Sequence, residues 1–230
     1  MTSRSSATTD EPAAADVASE TSVDPRASAP DRPSAARERI LRTADRLFYD
    51  EGIHAVGIQR VVAEAGVTRV TLYRHFPSKD DLVAAYLDRR AEHDHAQVDA
   101  IVEAYRDDPR GALTELAAVL TRDDFAGTSR GCPFINASAE FTGSHAARVK
   151  AGEIREWVTG RLEELLRQVD HRDPRAAAQQ LMMLRTGAVV SGALDANGRL
   201  GEDFLASWDL LVDAGLPPAR QDDDVPDSGS

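Results

Sequence analysis

Between Thr68 and Lys79 the chain sets two arginines, two threonines, a tyrosine, a histidine and a lysine within twelve residues. Such side chains are suited to recognition. A guanidinium on Arg69 or Arg74 can make paired bonds to guanine, and Val70 and Thr71 can meet a thymine methyl. The hydroxyls of Thr68 and Tyr73 and the ammonium of Lys79 suit phosphate oxygens or base edges. Gln59, nine residues upstream of Thr68, has the amide that pairs with adenine. His75 could reach the same surface, although a ring at that spacing packs between helices more readily.

Chemistry of turnover has little support in the remaining residues. There is no phosphate-cradling glycine loop, no His-Glu-x-x-His zinc motif and no Gly-x-Ser-x-Gly elbow. His93 and His95 flank Asp94, but positions two apart on a helix point away from each other, so a metal there would need ligands from elsewhere. No catalytic residue, metal or cofactor is expected. The single cysteine, Cys132, sits in Arg130-Gly131-Cys132-Pro133. Pro133 fits the first position of a helix, which places Cys132 at the cap, where the helix dipole and Arg130 would favour thiolate.

The recognition residues need a rigid support, and the local pattern supplies one. Val61, Val62 and Ala65 recur at helical spacing, Gly66 tolerates a left-handed turn, and Thr68 can cap a second helix carrying Val70, Leu72, Tyr73 and Phe76. An earlier helix, about Ala35 to Glu51, carries Ile40, Leu41, Ala44, Leu47 and Phe48 on one stripe and stops at Gly52. Its Arg37, Arg42 and Arg46 are expected outside. Gly57 opens the next helix without a side-chain cap.

The run Gly66-Val67-Thr68-Arg69-Val70-Thr71-Leu72-Tyr73-Arg74-His75-Phe76-Pro77-Ser78-Lys79-Asp80-Asp81-Leu82 resembles the signature of the TetR/AcrR transcriptional regulators, and the resemblance extends over about residues 36 to 86. It implies an all-α protein, with an N-terminal three-helix helix-turn-helix DNA-binding domain followed by a larger helical ligand-binding and dimerisation domain. It also implies a homodimeric repressor that leaves a palindromic operator when a small-molecule effector binds. Arg42, Gln59, Thr68, Arg69, Val70, Thr71, Tyr73, Arg74, His75 and Lys79 become the expected DNA contacts, with Lys79 on phosphate.

Composition agrees with this layout. The 230 residues are 42% hydrophobic with a net charge of −12, yet residues 34 to 76 hold seven arginines against five acids, leaving −14 for the rest. A locally basic head on an acidic body is compatible with DNA, because attraction to phosphate decays over roughly 8 Å at physiological salt. No apolar run reaches the roughly 20 residues that cross a bilayer, and a cytoplasmic protein is expected. Residues 1–33 and 217–230 read as disordered tails, 34–80 as the DNA-binding domain and 81–216 as the helical body. Phe125, Cys132, Phe134, Trp157, Leu181, Met182 and Met183 are the expected ligand pocket, since aromatics and methionine suit an adaptable apolar site. Helices near Pro174 to Leu194 and Glu202 to Ala214 are expected to form the dimer interface, through Ala176, Ala177, Ala178, Gly187, Ala188, Gly192 and Ala193 with Val189, Leu205, Trp208, Leu211 and Val212. Two alternatives stay open: a repressor that senses oxidants or electrophiles through Cys132, and a DNA-binding regulator without a ligand.

Overall fold

A computed structural model describes residues 34–121, 130–143, 145–194 and 198–217. Among these residues there are nine helices and no strand. The expected tails, apart from residue 217, lie outside the described residues, as does Phe125.

α1 (Ala35–Glu51) buries Ile40, Leu41, Ala44, Leu47 and Phe48, the stripe its 3.6-residue period dictates. It ends where the Gly52 N–H donates to the Phe48 carbonyl at 3.1 Å with φ +96°. α2 (Ile58–Ala65) starts at Gly57, which forms no side-chain cap bond, and closes at Gly66 with φ 61° and ψ 43°. The Gly66 N–H returns to Ala63 O and the Val67 N–H to Val62 O, so the left-handed residue satisfies two helix-end carbonyls. α3 (Arg69–His75) follows at once. The Thr68 Oγ1 caps it by accepting from the Thr71 N–H at 3.1 Å.

α4 (Lys79–Ala104) begins at a reciprocal capping box. The Ser78 Oγ accepts from Asp81 N at 3.0 Å, and Ser78 N donates to Asp81 Oδ2 at 2.9 Å. Along its length α4 buries Leu82, Val83, Tyr86, Leu87 and Ala91 in one core cluster and Val98 in another. Arg90 grips Asp45 of α1 with two bonds, at 2.7 and 3.0 Å, and Arg89 donates to Glu38 at 2.7 Å. The paired fork fixes direction as well as distance. α4 is therefore tied to α1 along one side.

The other helices are α5 (Pro109–Thr121), α6 (Pro133–Glu140), α7 (Ala146–Gln168), α8 (Pro174–Leu194) and α9 (Leu200–Asp213). α5 and α6 both take proline at the first position, where its missing N–H costs nothing. α7 and α8 pack against each other, with α8 also on α9, α7 also on α4, α5 and α6, and Trp208, Leu162 and Leu165 fully enclosed. Trp157 touches both clusters. One expectation about the last helices needs correcting. Ala177, Ala178, Ala188, Val189, Trp208 and Val212 are buried inside the chain, because α8 is held between α7 and α9 and uses those faces at home.

Because a Cβ at Gly66 meets no neighbour, Gly66→Ala isolates the backbone cost of the left-handed turn. It should lower unfolding free energy by about 1–2 kcal/mol, read as a shift of the urea midpoint with unchanged slope.

Candidate functional site

Packing decides which face of α3 is available. Leu72 is fully enclosed and Phe76 is buried against α1, whereas Val70 is 80% exposed and Tyr73 38%. An 80% exposed valine on a structured helix is an apolar group with little packing among the described residues. Arg69, Thr68 and Arg74 share that exposed side, Thr71 and His75 are half-buried at its edge, and Gln59 is exposed on α2. Arg69 lies over the Tyr73 ring at 5.8 Å, which holds both side chains outward. The Oγ1 atoms of Thr68 and Thr71 share one bond at 2.9 Å, so the pair keeps one hydroxyl proton to donate elsewhere.

The basic surface is narrower than the sequence suggested. Arg60 donates to Glu64 at 2.8 Å and to Glu51 at 2.6 Å, and Arg46 also pairs with Glu64. These arginines lower the Glu64 pKa, with the hydrogen bond from Arg60 the largest cause. Arg37 lies over the Phe76 ring at 5.1 Å, Arg39 Nε points at Ala65 O at 3.4 Å, and Arg42 faces Glu38 at 3.7 Å. Arg69 and Arg74 face no carboxylate among the described residues. Lys79, half-buried at the start of α4, has its pKa pulled down by burial, against the attraction of Glu140 and Asp80.

A second arrangement joins this head to the helices behind it. The carboxylate of Glu140, the last residue of α6, accepts from the Ile53 N–H at 3.0 Å and the His54 N–H at 2.7 Å, in the turn between α1 and α2. His54 Nδ1 lies 3.4 Å from the same carboxylate. The Phe141 ring sits between two imidazoles, 4.7 Å from His54 and stacked at 3.9 Å on His145. At the other end of α6, Tyr49 donates its hydroxyl to Gly131 O at 3.1 Å, and Arg130 Nη1 donates to Tyr49 O at 3.0 Å. Arg130, expected beside the Cys132 thiol, turns to α1 instead. Cys132 is the N-cap of α6 as expected, buried and without a side-chain cap bond.

A cavity of about 570 Å³ lies on the opposite side of α6, within the size range of small-molecule sites. Cys132, Phe134 and Met182 line it. Three other expected pocket residues do not. Leu181 is fully buried in the α8 packing, Met183 is 60% exposed on the reverse face, and Trp157 packs at a tilt against His95 with ring centroids 3.9 Å apart. Adjacent residues on a helix point in different directions, and here Met182 turns to the cavity while Met183 turns to solvent. The α7 wall, Arg148, Ala151, Gly152 and Arg155, has a spacing of three and four residues with small residues in the middle. That pattern was readable, but it resembles any amphipathic stripe. Glu140 left no signal in sequence, since its partners are backbone amides 86 and 87 residues away. Among the described residues no group of His, Cys, Asp and Glu could hold a metal.

Residues 40–86 match the family described as bacterial regulatory proteins, tetR family. The fold is similar to that of SCO4454, a TetR-family transcriptional regulator from Streptomyces coelicolor, with 41% identity, 78% of this chain and 95% of that chain covered, and a TM-score of 0.74. The chain belongs to the TetR family. Similarity to two Bacillus subtilis (strain 168) proteins is more partial. The uncharacterized HTH-type transcriptional regulator YxaF is 40% identical over 25% of this chain and 32% of its own length, so the matched segment spans about a third of that relative. The HTH-type transcriptional regulator LmrA is 28% identical over 61% of this chain and 76% of its own length. Within this TetR-family chain residues 40–86 contain α2, α3 and the exposed residues described above.

Arginines that face no acid should behave differently from those that do. On DNA selected by the wild-type protein from a random pool, Arg74→Ala should weaken binding tenfold or more. Arg46→Ala should change it less than threefold. Equal losses for the two in fluorescence anisotropy at fixed salt would mean that the Glu64 pairing does not remove Arg46 from the interface.

Proposed function

We propose that this TetR-family chain is a homodimeric transcriptional repressor of the cytoplasm, which binds a palindromic operator through α3 and is released by a small-molecule effector. The observation that carries DNA recognition is the exposed row Arg69, Val70, Tyr73 and Arg74 on a helix whose other side is fully packed. A short helix with a rigid inner face and an outer face of guanidinium, methyl and phenol groups suits the major groove. Thr68, Thr71 and Gln59 extend the contacts, His75 lies at their edge, and Lys79 and Arg42 supply phosphate contacts at the flanks. Residues 34–80 are the reading head and 81–216 the effector and dimerisation body.

The dimer follows from what remains exposed. Met183, Gly187, Val190 and Leu194 form one stripe on α8 at intervals of three and four residues, and Leu205 and Leu210 are exposed on α9. Leu194 is 78% and Leu210 72% accessible. An apolar stripe of this size on a TetR-family chain fits a self-complementary four-helix contact between two copies. Two heads related by a two-fold axis then read inverted half-sites.

Release requires the effector to favour one of two states. α6 is the element with access to both events, because Phe134, Ile135, Ser138 and Ala139 wall the cavity while Glu140 holds the α1–α2 turn. A ligand that displaces α6 moves the carboxylate that positions the head.

Selection from a random DNA pool should enrich an inverted repeat with half-sites about one helical turn or more apart. Leu210→Glu should convert the dimer to monomer in sedimentation velocity and weaken operator binding about a hundredfold. A chain that stays dimeric with this substitution, or a pool that yields no repeat, would contradict the reading.

A further inference from the structure

The cavity beside α6 has an unusual charge for a protein with a net charge of −12. Three arginines, Arg148, Arg155 and Arg185, line it together with one acid, Asp94. Elsewhere arginines take carboxylates, as with Arg46 on Glu64, Arg90 on Asp45, Arg110 on Asp209 and Arg161 on Asp99. Two of the cavity arginines, Arg148 and Arg155, are held by neutral oxygens. Arg148 Nη1 donates to Ser138 O at 3.1 Å, and Arg155 Nη1 to Thr186 Oγ1 at 2.8 Å and Met182 O at 3.4 Å. Such bonds fix a guanidinium in place without neutralising it, leaving further N–H groups to donate.

The spacing makes these charges a pair. Arg148 and Arg155 are seven residues apart, two turns along one face of α7, with Ala151 and Gly152 between them. A Cβ built at Gly152 meets nothing within 4 Å, so the concavity is open at that point. The apolar lining is Phe134 and Ile135 of α6, Met182 of α8 and, on α7 itself, Ile154 and Val158, with one aromatic ring and an adaptable thioether. Asp94 would oppose an anion if charged, but burial raises its pKa, against the pull of Arg185.

We propose that the cavity binds an amphipathic carboxylic acid as its anion, with the apolar body against Phe134 and Met182 and the carboxylate at the rim between Arg148 and Arg155. The assignment deepens the effector reading above and rests on the same cavity. A rim carboxylate would also accept bonds from both turns of α7, and its apolar body would press on α6 from the side opposite Glu140.

The test uses three probes of one shape, 4-biphenylacetate, its primary amide 4-biphenylacetamide, and 2-(biphenyl-4-yl)ethylamine, titrated calorimetrically into the full-length protein. The expected order is anion tightest, at least about tenfold over the amide, with the amine weakest. Arg155→Met and Arg148→Met should each bring the anion to within about threefold of the amide, and Gly152→Phe, which fills open space, should abolish the heat of anion binding while circular dichroism stays that of the wild type. Equal binding of anion and amide, tighter binding of the amine, or no heat with any probe would overturn the proposal. Operator release, read separately by anisotropy, distinguishes the two claims. An anion that binds without releasing DNA contradicts effector control but not the ligand class, and release by the amine alone contradicts the class but not effector control.

Discussion

The carboxylate of Glu140 accepts the amide hydrogens of Ile53 and His54, and the relation between the two halves of the chain depends on that contact. The turn between α1 and α2 contains Gly52 in a conformation that side chains rarely adopt, with Glu140 Oε1 only 3.3 Å from where a Cβ would stand. The two amides lie just past the C-terminus of α1, outside its hydrogen-bond ladder, and need an acceptor from elsewhere. A charged acceptor satisfies both, and the bonds are of the stronger, charge-assisted kind. Because α6 is eight residues long and anchored at its other end through Tyr49 and Arg130, it is held by α1 at one end and by the α1–α2 turn at the other.

Around this contact the helices divide the work by length. α4 runs 26 residues from the capping box at Ser78 into the second core cluster, and its Arg89 and Arg90 hold α1 beside it. α1 and α4 therefore carry the head, while α5 and α7 to α9 enclose Trp208 and the leucines of α7. α6 lies between the cavity and the head. Any displacement of α6 would change the distances and angles of the Glu140 bonds, and a charge-assisted bond weakens steeply with both.

Much of the fold was legible in the chain because its signals are local. Gly52, Gly66, Thr68, Pro133 and Pro174 mark helix ends through backbone preferences that act over a few residues, and the observed bounds of α1, α2 and α8 follow them. Ser78 and Asp81 also carried a capping-box signature, four residues long, that composition alone hides. The exposed face of α3 followed from the spacing of Leu72 and Phe76. What sequence could not provide was partner choice at long range. Nothing local shows that Glu64, beside its i, i+4 partner Arg60, also takes Arg46, that Arg130 turns toward Tyr49, or that Met183 faces outward while Met182 faces the cavity. Those outcomes depend on how helices far apart in the chain are rotated about their axes. The cavity was likewise placed by chemistry, from aromatic and methionine content, whereas its walls are set by the stripe Arg148, Ala151, Gly152 and Arg155.

The most direct measurement is the operator affinity of Glu140→Ala against the wild type, by fluorescence anisotropy at fixed salt, with sedimentation confirming that both chains have the same oligomeric state. If the carboxylate positions the reading head, the variant should bind operator at least about tenfold more weakly, as expected for two charge-assisted bonds lost from the turn that holds α2. Affinity equal to that of the wild type would contradict the account, because the head would then be placed without the contact on which the link between cavity and DNA depends.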